Sequence, residues 1–163
     1  MVYPNGYWTI AIDEIVHSNT STRDYSTKRI ATIVDSGTSL LILSPDLYDA
    51  LKLDQTFECD SSEQNRFYKN IDFLIGGKKY VLEPKDYLIR ISVYGYEYCM
   101  AAVDRAYSLP ENTMILGMPF LRKYYTHYDL GNMRVGFACA RFANLIKLSI
   151  QLTIFLFITL ILN

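Results

Sequence analysis

Asp35 opens the pentapeptide Asp35-Ser36-Gly37-Thr38-Ser39, whose residue types suit one kind of chemistry. A carboxylate that activates water must be held rigidly and must face a cleft. Ser36 and Thr38 carry hydroxyls that can donate to it, and Gly37 allows a close backbone approach. Two such loops facing each other would place two carboxylates side by side. Like charges that close share a proton. One carboxylate then acts as general base on the water, while its protonated partner donates to the carbonyl under attack. By itself the pentapeptide is also an ordinary turn composition. Its flanks argue against a simple surface turn, since Ile33 and Val34 precede it and Leu40 and Leu41 follow it directly.

The elements that must position Asp35 can be read from the pattern of side chains. The β-branched run Ile30-Ala31-Thr32-Ile33-Val34 predicts a buried strand leading straight into the loop. Ser44 is a candidate N-cap, with Pro45 at the first helical position and Asp46 in the first turn, so a short helix is expected over 46–52. Upstream, 7–16 reads as one strand and 17–28 as a Ser/Thr-rich loop holding the glycosylation sequon Asn19-Thr20-Ser21. Residues 58–69 read as a polar loop. A hairpin is expected over 71–75 and 78–82 around Gly76-Gly77, with further strands over 87–93, 96–103 and 113–116. A short helix over 119–124 and a second hairpin around Gly131-Asn132 follow. Many short strands with few helices predict a mostly β domain. Tyr94, Tyr96 and Tyr98 alternate, which predicts one sheet face.

Composition narrows the function classes. The chain has 163 residues, half of them apolar, and a formal net charge of -1. That length suits one domain. Lys and Arg are scattered, so nucleic acid is not an expected partner. His17 and His127 have no partner pattern, and no Cys/His cluster suggests a metal. No cofactor is expected. Cys59, Cys99 and Cys139 are open to two readings, free thiols in a reducing compartment or one disulfide in an oxidising one. Phe142 to Leu162 is strongly apolar, with residues 148–162 the cleanest part and Arg141 and Lys147 at one end. A bilayer-spanning helix needs about 20 such residues. A membrane segment over 141–163 is therefore favoured, ahead of a lipid-anchor attachment signal or a buried terminal element.

Further motifs carry a resemblance. Tyr7-Trp8 opens a strand, Ile115-Leu116-Gly117 forms an apolar-apolar-Gly element, and Tyr124-Tyr125-Thr126-His127-Tyr128-Asp129 and Val135-Gly136-Phe137-Ala138 close the domain. In this order, together with Asp35 to Thr38, they resemble the C-terminal lobe of pepsin-like aspartic peptidases over roughly 7–140. The resemblance implies one lobe of the bilobal pepsin-like fold over 1–140 and an aspartic endopeptidase activity on peptide or protein substrates. It implies that Asp35 is one of the catalytic pair. Ser36 would brace the two catalytic loops, Gly37 would permit their approach, and Thr38 would hydrogen-bond the carboxylate. Ile33 and Ser39 would lie near substrate, while Ile115, Leu116 and Gly117 would cross behind the loop. Cys59 and Cys99 match the family's disulfide in this lobe. That pairing would put the lobe on the lumenal or extracellular side of the secretory pathway, the cell surface or a vacuolar membrane, and would make Asn19 a usable sequon.

Two departures from the family stand out. No second Asp-Thr/Ser-Gly occurs in the sequence, so the N-terminal lobe with its own aspartate is an expected partner. The opening residues carry no signal peptide pattern, which suggests a lost N-terminal half. A homodimer completing the site, or a membrane-anchored binding module without catalysis, are the alternative expectations. Met118 also stands where many relatives carry Asp, which leaves the working pH open.

Overall fold

A computed structural model describes residues 6–18, 20–22 and 28–140. The Asn19 sequon and the apolar tail over 141–163 lie outside the described residues.

The strand expected over 7–16 is two strands, β1 (Thr9–Ile12) and β2 (Glu14–His17), which enter different sheets. Ile12 and Ile15 are both fully buried. Three residues apart on one straight strand, they would point to opposite faces. A break at Asp13 sends both into the core. Asp13 is anchored there by its amide, which donates to the Leu74 carbonyl (2.7 Å), and by an ion pair to Arg29 (3.5 Å). Within the Ser/Thr-rich region a short strand, β3 (Thr20–Ser21), pairs with β2.

β4 (Ile30–Val34) buries alternate residues, and β5 (Leu41–Leu43) does the same. α1 (Pro45–Leu51) begins as expected, with proline in its first turn. Ser44, however, does not cap it. The Ser44 hydroxyl accepts from the Thr113 amide instead (3.2 Å), tying the helix start to a distant strand.

The loop expected over 58–69 is ordered into β6 (Thr56–Glu58) and α2 (Ser62–Phe67). The Ser61 hydroxyl caps α2 by accepting from the Gln64 amide (3.2 Å), and the Gln64 side chain accepts from the Asp60 amide (3.0 Å). This is a near capping box hidden in polar composition. Phe67 anchors the helix against Phe57 and Tyr68.

β7 (Ile71–Ile75) and β8 (Lys78–Leu82) form the expected hairpin, with φ of +55° and +75° at Gly76 and Gly77. A helical turn not foreseen, α3 (Pro84–Tyr87), is closed by a Glu83/Asp86 capping box. β9 (Leu88–Val93) and β10 (Tyr96–Ala101) turn on Tyr94 and Gly95, both at positive φ. Tyr94 therefore belongs to the turn, and the expected three-residue tyrosine face is reduced to Tyr96 and Tyr98. β11 (Val103–Arg105), β12 (Thr113–Leu116), α4 (Met118–Leu121), β13 (Tyr124–Asp129) and β14 (Arg134–Cys139) complete the described chain.

Among the described residues, fourteen strands against four short helices make the lobe mostly β, as expected. The central sheet runs β1-β4-β12-β5-β11, and a second runs β3-β2-β7-β8. Between the elements lies one core in which Phe73, Tyr87, Leu116 and Phe120 are at most 1% exposed. Phe120 packs on Phe73, Tyr124 and Phe137 at 4.7 to 5.5 Å between ring centroids. Tyr124 is fixed in turn by its hydroxyl, which donates to the Val81 carbonyl (2.9 Å) and accepts from the Val81 amide (2.7 Å). A ring held at both ends keeps α4, and so the end of β12, in one place.

Candidate active site

The loop carrying Asp35 leaves β4 and returns as β5, and β12 lies between those two strands. β12 runs parallel to β4, with Ile115 opposite Ile33 and Leu116 opposite Val34. It runs antiparallel to β5, with Ile115 also opposite Ile42. The chain of β12 therefore passes between the two limbs of the 35–40 loop and supplies backbone partners to both. The Asp35 amide donates to the Leu116 carbonyl (3.2 Å), and the Met118 amide donates to the Thr38 carbonyl (2.9 Å). Gly117 has no side chain for a steric reason. A Cβ there would lie 2.5 Å from the Thr38 carbonyl oxygen and closer still to that of Leu40.

With its backbone fixed this way, the Asp35 side chain is held by its own loop. The Gly37 amide donates to Oδ1 (2.9 Å), and the Thr38 hydroxyl donates to Oδ2 (2.5 Å). Both donors favour the charged form. The Thr38 hydroxyl and then the Gly37 amide hold the Asp35 carboxyl below the usual carboxylate range, against a smaller opposing effect of burial. At Gly37 a Cβ would press to 3.3 Å from Asp35 Oδ1, so glycine there keeps the carboxylate uncrowded. Asp35 is half-buried, whereas Ser36, Gly37 and Ser39 are exposed. The oriented carboxylate thus sits at an open face.

Two aromatic residues border this loop that sequence reasoning gave no site role. The Trp8 carbonyl accepts from the Val34 amide (2.8 Å), immediately before Asp35. Its ring packs at a tilt against Tyr128, with centroids 5.1 Å apart. Burial raises the Tyr128 phenol, and the negative charge of Asp35 raises it further. The signal was present, because the two residues belong to the motifs that open and close the domain. Nothing local, however, said that β1 and β13 meet beside the loop.

The structure brings together Ile33, Asp35, Gly37, Thr38, Ile115 and Leu116 through backbone pairing or hydrogen bonds to the loop, and Gly117 through close approach to it. Ser36 and Ser39 lie on the exposed side of it. Cys59 and Cys99 form a disulfide, with Cα atoms 5.0 Å apart, that ties the segment before α2 to β10. Cys139 is a free, exposed thiol at the end of β14. His127 is exposed on β13.

A strand threaded between the limbs of an Asp-Ser-Gly-Thr loop, within a mostly β lobe, defines the aspartic-peptidase class. The family model described as eukaryotic aspartyl protease matches residues 1–140, and the chain belongs to that family. It is 33% identical to gastricsin of Cavia porcellus over 82% of this chain and 35% of that protein. It is 32% identical to cathepsin E of Rattus norvegicus over 85% of this chain and 36% of the relative. Plasmepsin I of Plasmodium falciparum is 32% identical over 83% and 30%, respectively. The chain thus spans about a third of the length of the curated relatives it matches.

Proposed function

We propose that this chain supplies the C-terminal lobe of an aspartic endopeptidase, with Asp35 as one of two catalytic carboxylates. The observation that carries this reading is the paired support of Asp35, one donor on each oxygen with the backbone clamped by β12. Asp129 also has a donor on each oxygen, so what distinguishes Asp35 is the added clamp of its backbone by β12.

In this reading the second carboxylate comes from a lobe outside residues 1–163, and the exposed Ser36 hydroxyl is available to brace the facing loop. The two acids share one proton. The ionised one takes a proton from a bound water, whose oxygen attacks the peptide carbonyl. The protonated one donates to the carbonyl oxygen. Collapse of the tetrahedral adduct breaks the C–N bond, with a proton passing to the departing amine. Ile33 and the exposed Ser39 flank the loop where peptide would lie. Substrates are peptides or proteins.

The Cys59–Cys99 disulfide suits an oxidising compartment, so the lobe is assigned to the secretory pathway or a surface it reaches. Asn19 would then be open to glycosylation, and the apolar run over 142–162 would hold the lobe at a membrane.

The deciding experiment is Asp35→Asn in the full-length enzyme. Peptide cleavage falls by about a thousandfold or more while the fold is retained by circular dichroism. Cleavage surviving in a folded Asp35→Asn protein would remove Asp35 from the mechanism.

A further inference from the structure

His17 plays no part in the chemistry above, yet it is only 4% exposed at the end of β2. Its ring nitrogens contact two different elements. Nδ1 lies 3.2 Å from the Leu51 carbonyl oxygen at the end of α1. Nε2 lies 3.5 Å from the Lys69 amide nitrogen, in the segment entering β7. A carbonyl can only accept and an amide N–H can only donate. The geometry therefore requires a proton on Nδ1 and a lone pair on Nε2, which is the neutral ring.

We infer that His17 is an acid-sensitive latch: neutral, it joins β2 to the end of α1 and to the entry of β7; protonated, it keeps its Nδ1–H on the Leu51 carbonyl but must release the Lys69 amide at the entry of β7. A second proton can go only on Nε2, where the Lys69 N–H already points, and two donors would then face each other.

The surroundings offer the charged ring little support. Lys52 at the end of α1, Arg66 on α2 and Lys69 are the cations near it, and among the described residues Glu63 on α2 is the one acid in the wall of the cavity beside it. On β7, Ile71 is the register partner of His17, while Asp72 is paired with Lys79. Phe67 packs against the ring at 6.2 Å. Burial accordingly lowers the His17 pKa, with the Leu51 hydrogen bond opposing. That cavity, of about 430 Å³ and lined by His17, Leu51, Phe57 and Phe67, gives the ring a route to water.

The consequence has a definite direction. A lowered histidine pKa leaves the full stability in place above the unfolded-state value of ~6.5. That stability is lost as pH falls below this value toward the folded one. Between pH 7 and pH 5 the unfolding constant of the latched region rises, by at most about 25-fold, the limit set by protonation of the unfolded histidine. The Cys59–Cys99 bond still holds the segment between α1 and β7 to β10, so release is local. This device is independent of Asp35 and of any peptidase activity.

The sequence contains two histidines, so imidazole titration by NMR on the full chain needs no crowded assignment. The expected result is a His17 titration below the ordinary histidine value of ~6.5, with faster amide exchange at Lys69 at pH 5 than at pH 7. His17→Gln, which offers one donor and one acceptor without titrating, should flatten the pH dependence of the denaturation midpoint over this range. A His17 titration at or above the ordinary ~6.5 overturns the latch. So does an unchanged pH slope in His17→Gln. Should the variant not fold, the wild-type titration alone decides.

Discussion

Gly117 sits so close to Thr38 that a single added carbon would meet the Thr38 carbonyl oxygen at 2.5 Å. Its φ of -100° and ψ of -155° are open to any residue, so the constraint is space and not conformation. Gly117→Ala must therefore push β12 away from the loop that holds Asp35. The expected cost is about 3 kcal/mol or more, seen as a lowered denaturation midpoint.

Thr38→Val keeps the shape and removes the donor to Asp35 Oδ2. The Asp35 pKa should rise toward the ordinary carboxylate value. Because native Asp35 is held low, its contribution to stability is present above the unfolded value of ~3.9 and fades as pH falls through the folded value. Wild type and Thr38→Val should thus differ in denaturation midpoint at neutral pH and converge in strong acid. In the full-length enzyme, the loss of a charge-assisted hydrogen bond should lower kcat about tenfold to a hundredfold. A peptide-cleavage assay across pH reads this, with the acid limb shifted upward.

The legibility of the lobe divides at particular residues. The strand before Asp35, the Gly76-Gly77 hairpin and the 113–116 strand were readable because β-branched runs and paired glycines act locally. The 35–39 loop took its expected role from the family resemblance, since its own residues are an ordinary turn composition. What could not be read was the meeting of distant chains. The break at Asp13 is decided by two sheets competing for Ile12 and Ile15. The turn placing Tyr94 is decided by φ +50° at a non-glycine residue. The place of Tyr128 beside the loop depends on β13 meeting Trp8, which leads into β1. α2 and α3 were hidden by composition, since Ser61 with Gln64 and Glu83 with Asp86 look like loop until their hydrogen bonds are seen.

Cys59 and Cys99 lie 40 residues apart in sequence. Closing a loop of that length restricts the unfolded chain by about 4 kcal/mol on the chain-entropy account. A Cys59→Ser, Cys99→Ser double variant should lose stability of this order. Urea denaturation with and without reductant, which should bring wild type down to the double variant, measures it.

Asp129 marks the start of the last hairpin turn. The Asn132 side chain, followed by the Arg134 guanidinium, holds its carboxyl down to about 2. The group should remain ionised while other carboxylates protonate. Arg134→Gln should raise its titration toward the ordinary value, read by carboxyl carbon shifts in NMR. No movement on that change would assign the depression to Asn132 alone.

β12 is the last strand of the central sheet to emerge during synthesis, yet it supplies the backbone acceptor for Asp35 through Leu116 (3.2 Å). Synthesis at 5–20 residues per second puts roughly 80 residues, and on the order of ten seconds, between the two. Until then the Asp35 loop has its own donors, the Gly37 amide and the Thr38 hydroxyl, but no brace from behind. The closure is of long range and correspondingly slow. A nascent lobe therefore carries its acidic group in an unassembled form, and the order of chain emergence delays any cleft until the scaffold around it is nearly complete.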